Sequence, residues 1–329
     1  MKVKNCYLGI DVGSISTNVV LMDEDKEIMA KVYTGTNGKP IEVIQEALKE
    51  IKSKVNKKLN IKGVGTTGSG RNLAAMIVGA DVVKNEITAH GIAALNFVGD
   101  VRTIIEIGGQ DSKIILLKDG IIRDFAMNTV CAAGTGSFLD RQAARLGIDI
   151  KRFGELALKS TNPVRIAGRC AVFAETDMIH KQQLGHNQED IIRGLSDAMV
   201  RNFLNNLAKG KDIEAPVVFQ GGVAANVGIK RSFEEALGLE VFVPPHYDVM
   251  GSIGCCLLAE EYAAKGNKTI FQGFNIINSG YDVRGIECSD CPNMCEIVEI
   301  FRDGKIMARW GDKCGKWSNL IKKDIENLA

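Results

Sequence analysis

Leu8-Gly9-Ile10-Asp11-Val12-Gly13-Ser14-Ile15-Ser16-Thr17 is the stretch that decides the fold of this chain of 329 residues. It reads as an apolar strand, a glycine-containing turn and the start of a second strand that continues through residues 18–22. Backbone N–H groups at such a tip can surround phosphate oxygens, and Gly13 lets the main chain approach them closely. Asp11 is placed to hold Mg²⁺ through water. We therefore predict a phosphate-binding hairpin, with a plain hairpin turn as the alternative. The nucleotide-binding residues of the phosphate-binding hairpin would be Gly13, Ser14, Ile15, Ser16 and Thr17.

A second stretch later in the chain repeats this design. Thr103-Ile104-Ile105-Glu106-Ile107-Gly108-Gly109-Gln110-Asp111-Ser112-Lys113 again has an apolar strand with an acidic residue, a glycine-rich turn and a following strand. Two such hairpins that face each other across a cleft can clamp a triphosphate from both sides. Glu106, Gln110 or Asp111 would then position Mg²⁺ or the attacking water, and Gly108, Gly109 and Gln110 would contact the nucleotide. The repeat indicates an internally duplicated α/β fold.

A third glycine-containing junction follows the strand predicted at residues 216–219. Gln220-Gly221-Gly222-Val223-Ala224-Ala225-Asn226 leads into a helix, and a glycine pair there lets a flat ring lie against the backbone. A nucleoside is the natural occupant, so Gly221, Gly222 and Asn226 are assigned to ATP. The loop Thr67-Gly68-Ser69-Gly70-Arg71 is weaker evidence, because its spacing matches neither the dinucleotide fingerprint nor a P-loop.

Two cysteines, Cys131 and Cys170, each lie among small residues just ahead of a predicted helix. A [4Fe-4S] cluster and tetrahedral zinc both need four ligands, so neither half alone is a ligand set. A symmetric dimer would supply four, because a two-fold axis doubles each ligand. The alternative is that both are small buried apolar side chains, which is how we interpret Cys6, Cys255 and Cys256.

The pattern changes from residue 266 onward. Cys288, Cys291 and Cys295 form a C-x2-C-x3-C array, and Cys314 follows at a distance. Four cysteines at this spacing can complete a tetrathiolate site within one chain, which leaves structural zinc and a second [4Fe-4S] cluster both open. Residues 295–302 and 305–310 alternate like a hairpin turned at Asp303-Gly304. We predict a small metal-stapled module over residues 266–329.

Composition gives little reason to expect a nucleic acid or a membrane surface as partner, since the net charge is +1 and the isoelectric point is near 7.5. Residues 1–5 run directly into a predicted strand, and no apolar stretch has the length of a transmembrane helix. We therefore expect no signal peptide and a cytoplasmic protein. In that compartment nine cysteines favour metal or redox chemistry over disulfides.

With these residues in view, the chain resembles the activators of 2-hydroxyacyl-CoA dehydratases and the related ATPase subunits of benzoyl-CoA reductase, the BadF/BadG/BcrA/BcrD ATPase family. That family belongs to the acetate kinase, sugar kinase, Hsp70 and actin superfamily, so the resemblance implies a duplicated ribonuclease-H-like fold with two lobes. We place the first lobe in residues 1–100 and 250–265 and the second in 101–249. The resemblance covers about residues 7–264 and rests on Gly9-Ile10-Asp11-Val12-Gly13-Ser14, Ile107-Gly108-Gly109-Gln110-Asp111, Cys131-Ala132-Ala133-Gly134-Thr135-Gly136, Cys170 and Gly221-Gly222-Val223-Ala224.

The resemblance implies a homodimer in which Cys131 and Cys170 of both subunits hold one [4Fe-4S] cluster, with one ATP site per subunit. Ferredoxin or flavodoxin would supply electrons, and ATP hydrolysis would drive single electrons onto an iron-sulfur acceptor enzyme. That acceptor would be a dehydratase, a benzoyl-CoA reductase-like enzyme or a double-cubane-cluster protein. Members that serve the hydroxyglutaryl enzyme end near residue 264, and the family often has Asp where this chain has Glu106.

The alternative function is a small-molecule kinase of the same superfamily with structural metal sites. It would use the same two phosphate loops, but it needs an acceptor site with a general base. No residue of the sequence stands out for that role, and Cys131 and Cys170 would have no function in it.

Overall fold

The first part of the chain folds into a five-stranded sheet with helices beside it. The structure is a computed structural model that describes residues 3–55, 58–128, 131–302 and 304–317. The strand order is β3-β2-β1-β4-β5, and β1 pairs antiparallel with β2 and parallel with β4. The elements are β1 (Lys4–Val12), β2 (Ser16–Asp23), β3 (Ile28–Gly35), α1 (Pro40–Lys54), β4 (Leu59–Thr67), α2 (Arg71–Val78), β5 (Val82–Val83) and α3 (Glu86–Val98).

The second part repeats this sheet. Its strand order is β8-β7-β6-β9-β10, so β6 takes the place of β1 and again pairs antiparallel with the next strand and parallel with β9. The duplication predicted from the two hairpin stretches is therefore confirmed. The elements are β6 (Thr103–Ile107), β7 (Ser112–Lys118), β8 (Ile121–Asn128), α4 (Gly136–Leu146), α5 (Ile150–Leu158), α6 (Ala171–Gln183), α7 (Gln188–Leu207), β9 (Val217–Gln220), α8 (Val227–Leu237) and β10 (Val241–Phe242).

The central strands are buried because their sequences are continuously apolar. Leu8 and Ile10 on β1, and Ile105 and Ile107 on β6, have no exposed surface, as is typical of strands covered on both faces. Helix α1 begins with Pro40 in its first turn, where proline costs no hydrogen bond. Its apolar residues recur at helical spacing and are the ones that it buries: Val43, Ile44, Ala47, Leu48 and Ile51.

Helix α9 (Met250–Ala264) returns to the first sheet and covers β1, β4 and α3. Gly65 on β4 makes this close contact possible, because a Cβ at that position would collide with the main chain of α9 at Cys255. Cys255 and Cys256 are buried inside this helix, and Cys6 is buried in β1, as the sequence predicted. No helix in the described ranges is both long enough and apolar enough to cross a bilayer.

A three-stranded antiparallel sheet follows α9, with β11 (Tyr281–Glu287), β12 (Glu296–Arg302) and β13 (Lys305–Trp310) in that order. The predicted hairpin is present, with Arg302 opposite Lys305; Asp303 of its turn and residues 318–329 lie outside the described residues. A short 3-10 helix, Phe274–Asn278, ties the module to the first lobe. Gln45 of α1 donates hydrogen bonds of 2.8 Å to the carbonyls of Ile276 and Ser279.

Candidate functional site

The turns of the two hairpins face each other across a cleft that contains a cavity of about 300 Å³. Both turns lie at the carboxyl end of the central strand of their sheet, so the duplication brings them to one place. Thr17 lies behind its loop, where its hydroxyl is 2.9 Å from that of Thr36. The sequence-predicted residues that line this cavity are Asp11, Gly13, Ser14, Ile15, Ser16, Glu106, Gly108, Gly109, Gln110, Asp111, Gly221 and Gly222.

The two loops that the sequence pattern assigns to phosphate, residues 13–17 and 108–111 (the phosphate loops), touch each other. The Ser14 hydroxyl donates a 2.7 Å hydrogen bond to Oε1 of Gln110. A Cβ added to Gly109 would lie 2.9 Å from the side chain of Ile15, so the second loop approaches the first with no room for a side chain. The two lobes therefore contact each other directly through these loops.

Asp11 and Glu106 occupy equivalent positions in the two lobes, and a glycine supports each of them. Gly68, with φ +87°, lies so close that a Cβ would be 2.5 Å from Oδ1 of Asp11. Gly221, with φ +88°, would place a Cβ 2.6 Å from Oε1 of Glu106. Both conformations favour glycine. The loop at residues 67–71 thus supports the carboxylate at the end of β1 from behind.

Asp11 lies at the edge of the cavity among other carboxylates. Burial raises the pKa of its carboxyl to about 7, with a further contribution from Glu86 that is partly opposed by Lys113. A carboxyl that titrates near neutral pH can give up its proton to bind a cation in this range. Magnesium binding requires the ionised carboxylate, so binding at Asp11 would be accompanied by release of a proton near neutral pH.

Lys113, on β7, is the buried cation of the cleft floor. Its side chain is 2% exposed, and its Nζ lies 2.7 Å from Glu106, 2.9 Å from Asp111 and 3.3 Å from Glu86. Burial lowers the pKa of this amine, but the carboxylates more than offset that effect and hold the pKa above its usual value. Glu86 begins α3 of the first lobe, so its ion pair with Lys113 joins the two lobes. The carboxylate of Glu106 is engaged in an ion pair with the same lysine.

His90 and Asn18 add to the polar lining of this cavity. Burial lowers the pKa of His90 to about 4, and its Nδ1 lies 2.9 Å from Nε2 of Gln220, so the ring is neutral at pH 7. Oδ1 of Asn18 is buried and has no hydrogen-bond partner among the described residues. Sequence reasoning missed His90 together with Glu86, although both project from one face of α3 because they are four residues apart.

A second cavity, of about 390 Å³, adjoins the first and shares Gly109 and Gly222 with it. Its walls are largely apolar, and Asn226 contributes to them. Oδ1 of Asn226 caps α8 by accepting from the N–H groups of Gly228 and Ile229. Its Nδ2 has no partner in the part of the chain that the structure describes. An apolar slot with a few unpaired polar groups suits a nucleoside.

Within the described ranges, no three His, Cys, Asp or Glu side chains are grouped as a ready-made metal site. For Mg²⁺ such a group is unnecessary, because this ion is usually held by one or two carboxylates together with substrate phosphates and water. Asp11 and Asp111 are two of the carboxylates that line this cavity.

Cys131 and Cys170 lie at the N-termini of helical segments on adjacent loops. Cys131 precedes the 3-10 helix Ala132–Gly134, and Cys170 precedes α6. Both are partly exposed, and Sγ of Cys131 lies 4.0 Å from the carbonyl of Arg169. The first N–H groups of α6 have no side-chain cap, and helix N-termini favour negative charge. Two accessible thiols in this setting fit half of the ligand set of a [4Fe-4S] cluster.

Two asparagines hold the cysteine loops from behind. Nδ2 of Asn202, on α7, donates a 2.6 Å hydrogen bond to the carbonyl of Gly168, and its Oδ1 lies close against Gly134. The amide of Asn128 bonds both the N–H and the carbonyl of Cys131, at 2.9 and 2.8 Å. Neither asparagine was selected by sequence reasoning.

The segment after Cys131 is hydrogen-bonded directly to the second phosphate loop. The N–H of Gly136 donates to the carbonyl of Gly108 at 2.8 Å, and the N–H of Ser137 donates to that of Gly109 at 2.9 Å. These bonds join the start of α4 to the turn between β6 and β7. The cysteine loop and the nucleotide cleft are therefore parts of one continuous structure.

The four cysteines of the C-terminal module differ in exposure. Cys288 is buried, Cys295 is half-buried, and Cys291 and Cys314 are exposed. All four lie at one end of the three-stranded sheet, in the β11–β12 loop and just after β13.

Comparison with known proteins gives a match over most of the chain. The model of the BadF/BadG/BcrA/BcrD ATPase family matches residues 8–259. The (R)-2-hydroxyglutaryl-CoA dehydratase activating ATPase of Acidaminococcus fermentans is 38% identical over 262 residues, which cover 78% of this chain and 98% of that protein. The module from residue 266 lies outside the matched family segment.

Solved structures agree with this match. The activator of the 2-hydroxyisocaproyl-CoA dehydratase from Clostridium difficile, solved with bound ADPNP, is 31% identical and superposes with a TM-score of 0.72 over 79% of this chain and 96% of that one. A ROK family glucokinase from Streptomyces griseus is only 13% identical, with a TM-score of 0.51 over 78% of this chain and 99% of that one. Its likeness to this chain is one of fold alone, the two-lobed fold of the sugar-kinase type.

Proposed function

Since the chain belongs to the BadF/BadG/BcrA/BcrD ATPase family, we propose that it is an ATP-dependent activase that delivers single low-potential electrons to an iron-sulfur partner enzyme. Relatives named as activators of CoA dehydratases support the activase role. A relative with bound ADPNP supports the assignment of the cleft to ATP.

ATP would lie across the two adjoining cavities, with its nucleoside in the apolar one and its phosphates between the two loops. The N–H groups of residues 14–16 and 109–110 would bind phosphate oxygens, since those of Gly13 and Gly108 already donate to the carbonyls of Ser16 and Asp111. Asp11 would hold Mg²⁺ through water, and Gln110 or Asp111 would orient the attacking water. Lys113 already pairs with Glu106, so we give Glu106 the role of fixing this lysine in place of direct metal binding.

Cys131 and Cys170 of two copies would together hold one [4Fe-4S] cluster, which would supply one-electron transfer at low potential when bound. Beside these thiols the side chains of Val172 and Phe173 are 68% and 64% exposed. Exposed apolar side chains next to a half-complete ligand set support a homodimer that covers this face.

The observation that carries the proposal is the bonding of Gly136 and Ser137 to the carbonyls of Gly108 and Gly109. When the second phosphate loop adjusts to a triphosphate, the start of α4 must move with it, and Cys131 lies just upstream of that helix. ATP would favour one arrangement of the lobes over the other by binding it more tightly. The nucleotide state would in this way set the position of Cys131.

The electron donor would be a ferredoxin or a flavodoxin. The acceptor would be a 2-hydroxyacyl-CoA dehydratase, a benzoyl-CoA reductase-like enzyme or a double-cubane-cluster protein. Relatives named for dehydratases and for benzoyl-CoA reductase support this range of acceptors.

The test is to prepare the full chain without oxygen and to measure iron, acid-labile sulfide and ATP hydrolysis in the wild type and in Cys131→Ala and Cys170→Ala. Cys6→Ala is the matched control, because it removes a buried thiol of the first lobe. We expect both variants to lose about 4 iron atoms per dimer relative to wild type while still hydrolysing ATP, and the control to keep its iron. Unchanged iron in both variants would remove the basis of the proposal and favour a kinase of the same fold.

A further inference from the structure

We propose that Cys288, Cys291, Cys295 and Cys314 form a second metal site, one tetrathiolate centre in each chain, at the end of the three-stranded sheet. This site shares no residue with the nucleotide cleft or with the loops of Cys131 and Cys170. It also lies outside the segment that matches the family. The proposal therefore stands independently of the activase function.

The topology of the sheet brings the four cysteines to one end. Because β12 is antiparallel to both neighbours, its first residue lies beside the end of β11 and the end of β13. The loop with the first three cysteines joins β11 to β12, and Cys314 follows Trp310 at the end of β13. The fold thus brings the cysteine-bearing segments to one end of the sheet, but the four side chains are not gathered as a formed site in the described residues, so metal binding would draw them together.

Cys288 and Cys295 face each other as the next pair beyond the β11–β12 ladder. The last ladder pair is Glu287 with Glu296, and the N–H of Cys288 donates to the carbonyl of Cys295 at 2.8 Å. Directly opposed residues have Cβ atoms roughly 4.5–5.5 Å apart on the same face. Zinc–sulfur bonds of about 2.3 Å let one ion bridge thiolates at such a distance.

The loop between these two cysteines is a tight turn that contains Cys291. The N–H of Met294 donates to the carbonyl of Cys291 at 3.1 Å, and Met294 has φ +41°. A non-glycine residue in this conformation is uncommon and needs support from its surroundings. A metal bound by the cysteines on both sides of the turn would provide that support.

The segment with Cys314 is fixed against this loop by contacts of its own. Nε1 of Trp317 donates to Sγ of Cys288 at 3.3 Å, and Lys316 forms an ion pair with Asp290. Gly311, with φ +108°, sits so close to the start of β12 that a Cβ would collide with the carbonyl of Glu296. An N–H donor and an ammonium group beside the cysteines would stabilise thiolates.

The module has too small a core to hold this shape by packing alone. Between residues 281 and 317, the described residues that are buried are Cys288, Ile297, Glu299, Ile300 and Phe301. Most of β11 is exposed. Small domains with so few buried side chains usually depend on disulfides or a bound metal. The four cysteines form no disulfide in the structure. A bound metal is therefore the cross-link that they can supply.

Thiolates select Zn²⁺ or an iron-sulfur cluster, and both take four cysteines in tetrahedral arrangement. The experiment compares zinc and iron per chain, by mass spectrometry of elements, in wild type and in the Cys291→Ser/Cys314→Ser double variant. These two side chains are exposed, so serine there costs little packing. Cys131→Ala/Cys170→Ala serves as the parallel variant that removes only the other site.

We expect the Cys291→Ser/Cys314→Ser protein to lose about 1 zinc or about 4 iron per chain, and the Cys131→Ala/Cys170→Ala protein to keep that metal. The element that is lost identifies the centre. Equal zinc and equal iron in the wild type and in the C-terminal variant would overturn the proposal, whatever the other variant shows. Failure of the activase function would instead appear as iron unaffected by Cys131→Ala/Cys170→Ala.

A second measurement uses only the wild-type chain. Freshly purified protein is treated with iodoacetamide before and after a strong chelator, and modified cysteines are located by peptide mass spectrometry. Exposed Cys291 and Cys314 should resist alkylation until the chelator removes the metal. Immediate alkylation of both residues in the untreated protein would overturn the proposal.

Discussion

Lys113→Met removes the buried cation that joins the two lobes and leaves Glu106 without its partner. Glu106 is 4% exposed, and its Oε2 lies 2.7 Å from Nζ of Lys113. Methionine has nearly the same length as the lysine stem, so the substitution removes a charge and leaves little empty space. Burial raises the pKa of the Glu106 carboxyl, and Lys113 is what opposes that effect.

The expected loss follows from the burial of this pair. Removal of one partner of a buried ion pair costs roughly 3–5 kcal/mol of unfolding free energy, since the other charge stays uncompensated. Asp111 and Glu86 are about one-quarter to one-third exposed, so solvent compensates for them and they add little. In the double variant Lys113→Met/Glu106→Gln no buried charge remains unpaired, and most of the loss should be recovered.

The assay is urea unfolding followed by circular dichroism, with and without ADP and Mg²⁺. Lys118→Met is the matched control, because Lys118 is an exposed lysine on the same strand; it should change stability by less than about 0.5 kcal/mol. If Lys113→Met proves no less stable than the control, or if Glu106→Gln recovers nothing, the buried pair does not stabilise the cleft floor and this reasoning is refuted.

Three further predictions concern the cleft and the cysteine loops. The pKa of Asp11 is raised to about 7, and only the ionised form binds cations. The affinity for Mg·ATP should therefore fall about tenfold per pH unit below pH 7 and level off above it. Titration calorimetry from pH 5.5 to 8 should show this slope in wild type and none in Asp11→Asn. Gly251→Ala places a Cβ against the Asp11 carboxylate, so it should reduce ATP hydrolysis by roughly 10²-fold, whereas Gly280→Ala, which meets open space, should leave the rate unchanged. Asn202→Leu leaves the carbonyl of Gly168 unpaired, so it should lower the free energy of unfolding by about 1–3 kcal/mol. It should also lower iron retention while ATP affinity stays intact. Equal iron in Asn202→Leu and in Asn205→Leu, the control at an exposed site, would contradict this.

The two glycine-containing hairpin turns could be predicted from the sequence because a strand, a glycine turn and a strand are local features. Their residues are close in sequence, so pattern alone brings Asp11 beside Gly13, and Gly108 beside Asp111. The repeat of the pattern then predicts the second sheet. The match of the two sheets, strand for strand, confirms this part of the prediction.

The floor of the cleft could not be predicted in the same way, because its partners come from separate elements. Lys113 shares a face of β7 with the apolar residues Ile115 and Leu117, which predicts burial but names no partner for a lysine. Its third carboxylate, Glu86, comes from a helix of the other lobe. Asn202 likewise reaches the Gly168 carbonyl from a helix that looked like ordinary core.

The C-terminal module was predicted from its cysteine spacing and one hairpin, whereas β11 was not. Tyr281–Glu287 has few apolar residues and is mostly exposed, so it carries no strand signal of its own. It becomes a strand because β12 offers an unpaired edge.

The bonds from Gly136 and Ser137 to the second phosphate loop are made by main-chain atoms. Substitution of most side chains leaves these main-chain bonds in place, so an alanine scan of the cleft would pass over them. The Ser137 hydroxyl adds a 2.5 Å hydrogen bond to the carbonyl of Gly109, and Ser137→Ala would remove that side-chain bond alone. A change that removes the amide hydrogen, such as proline or a backbone ester at residue 137, would interrupt the main-chain bond. If the proposed function holds, most side chains along this route could therefore vary, for a new acceptor enzyme, while the main-chain connection is kept.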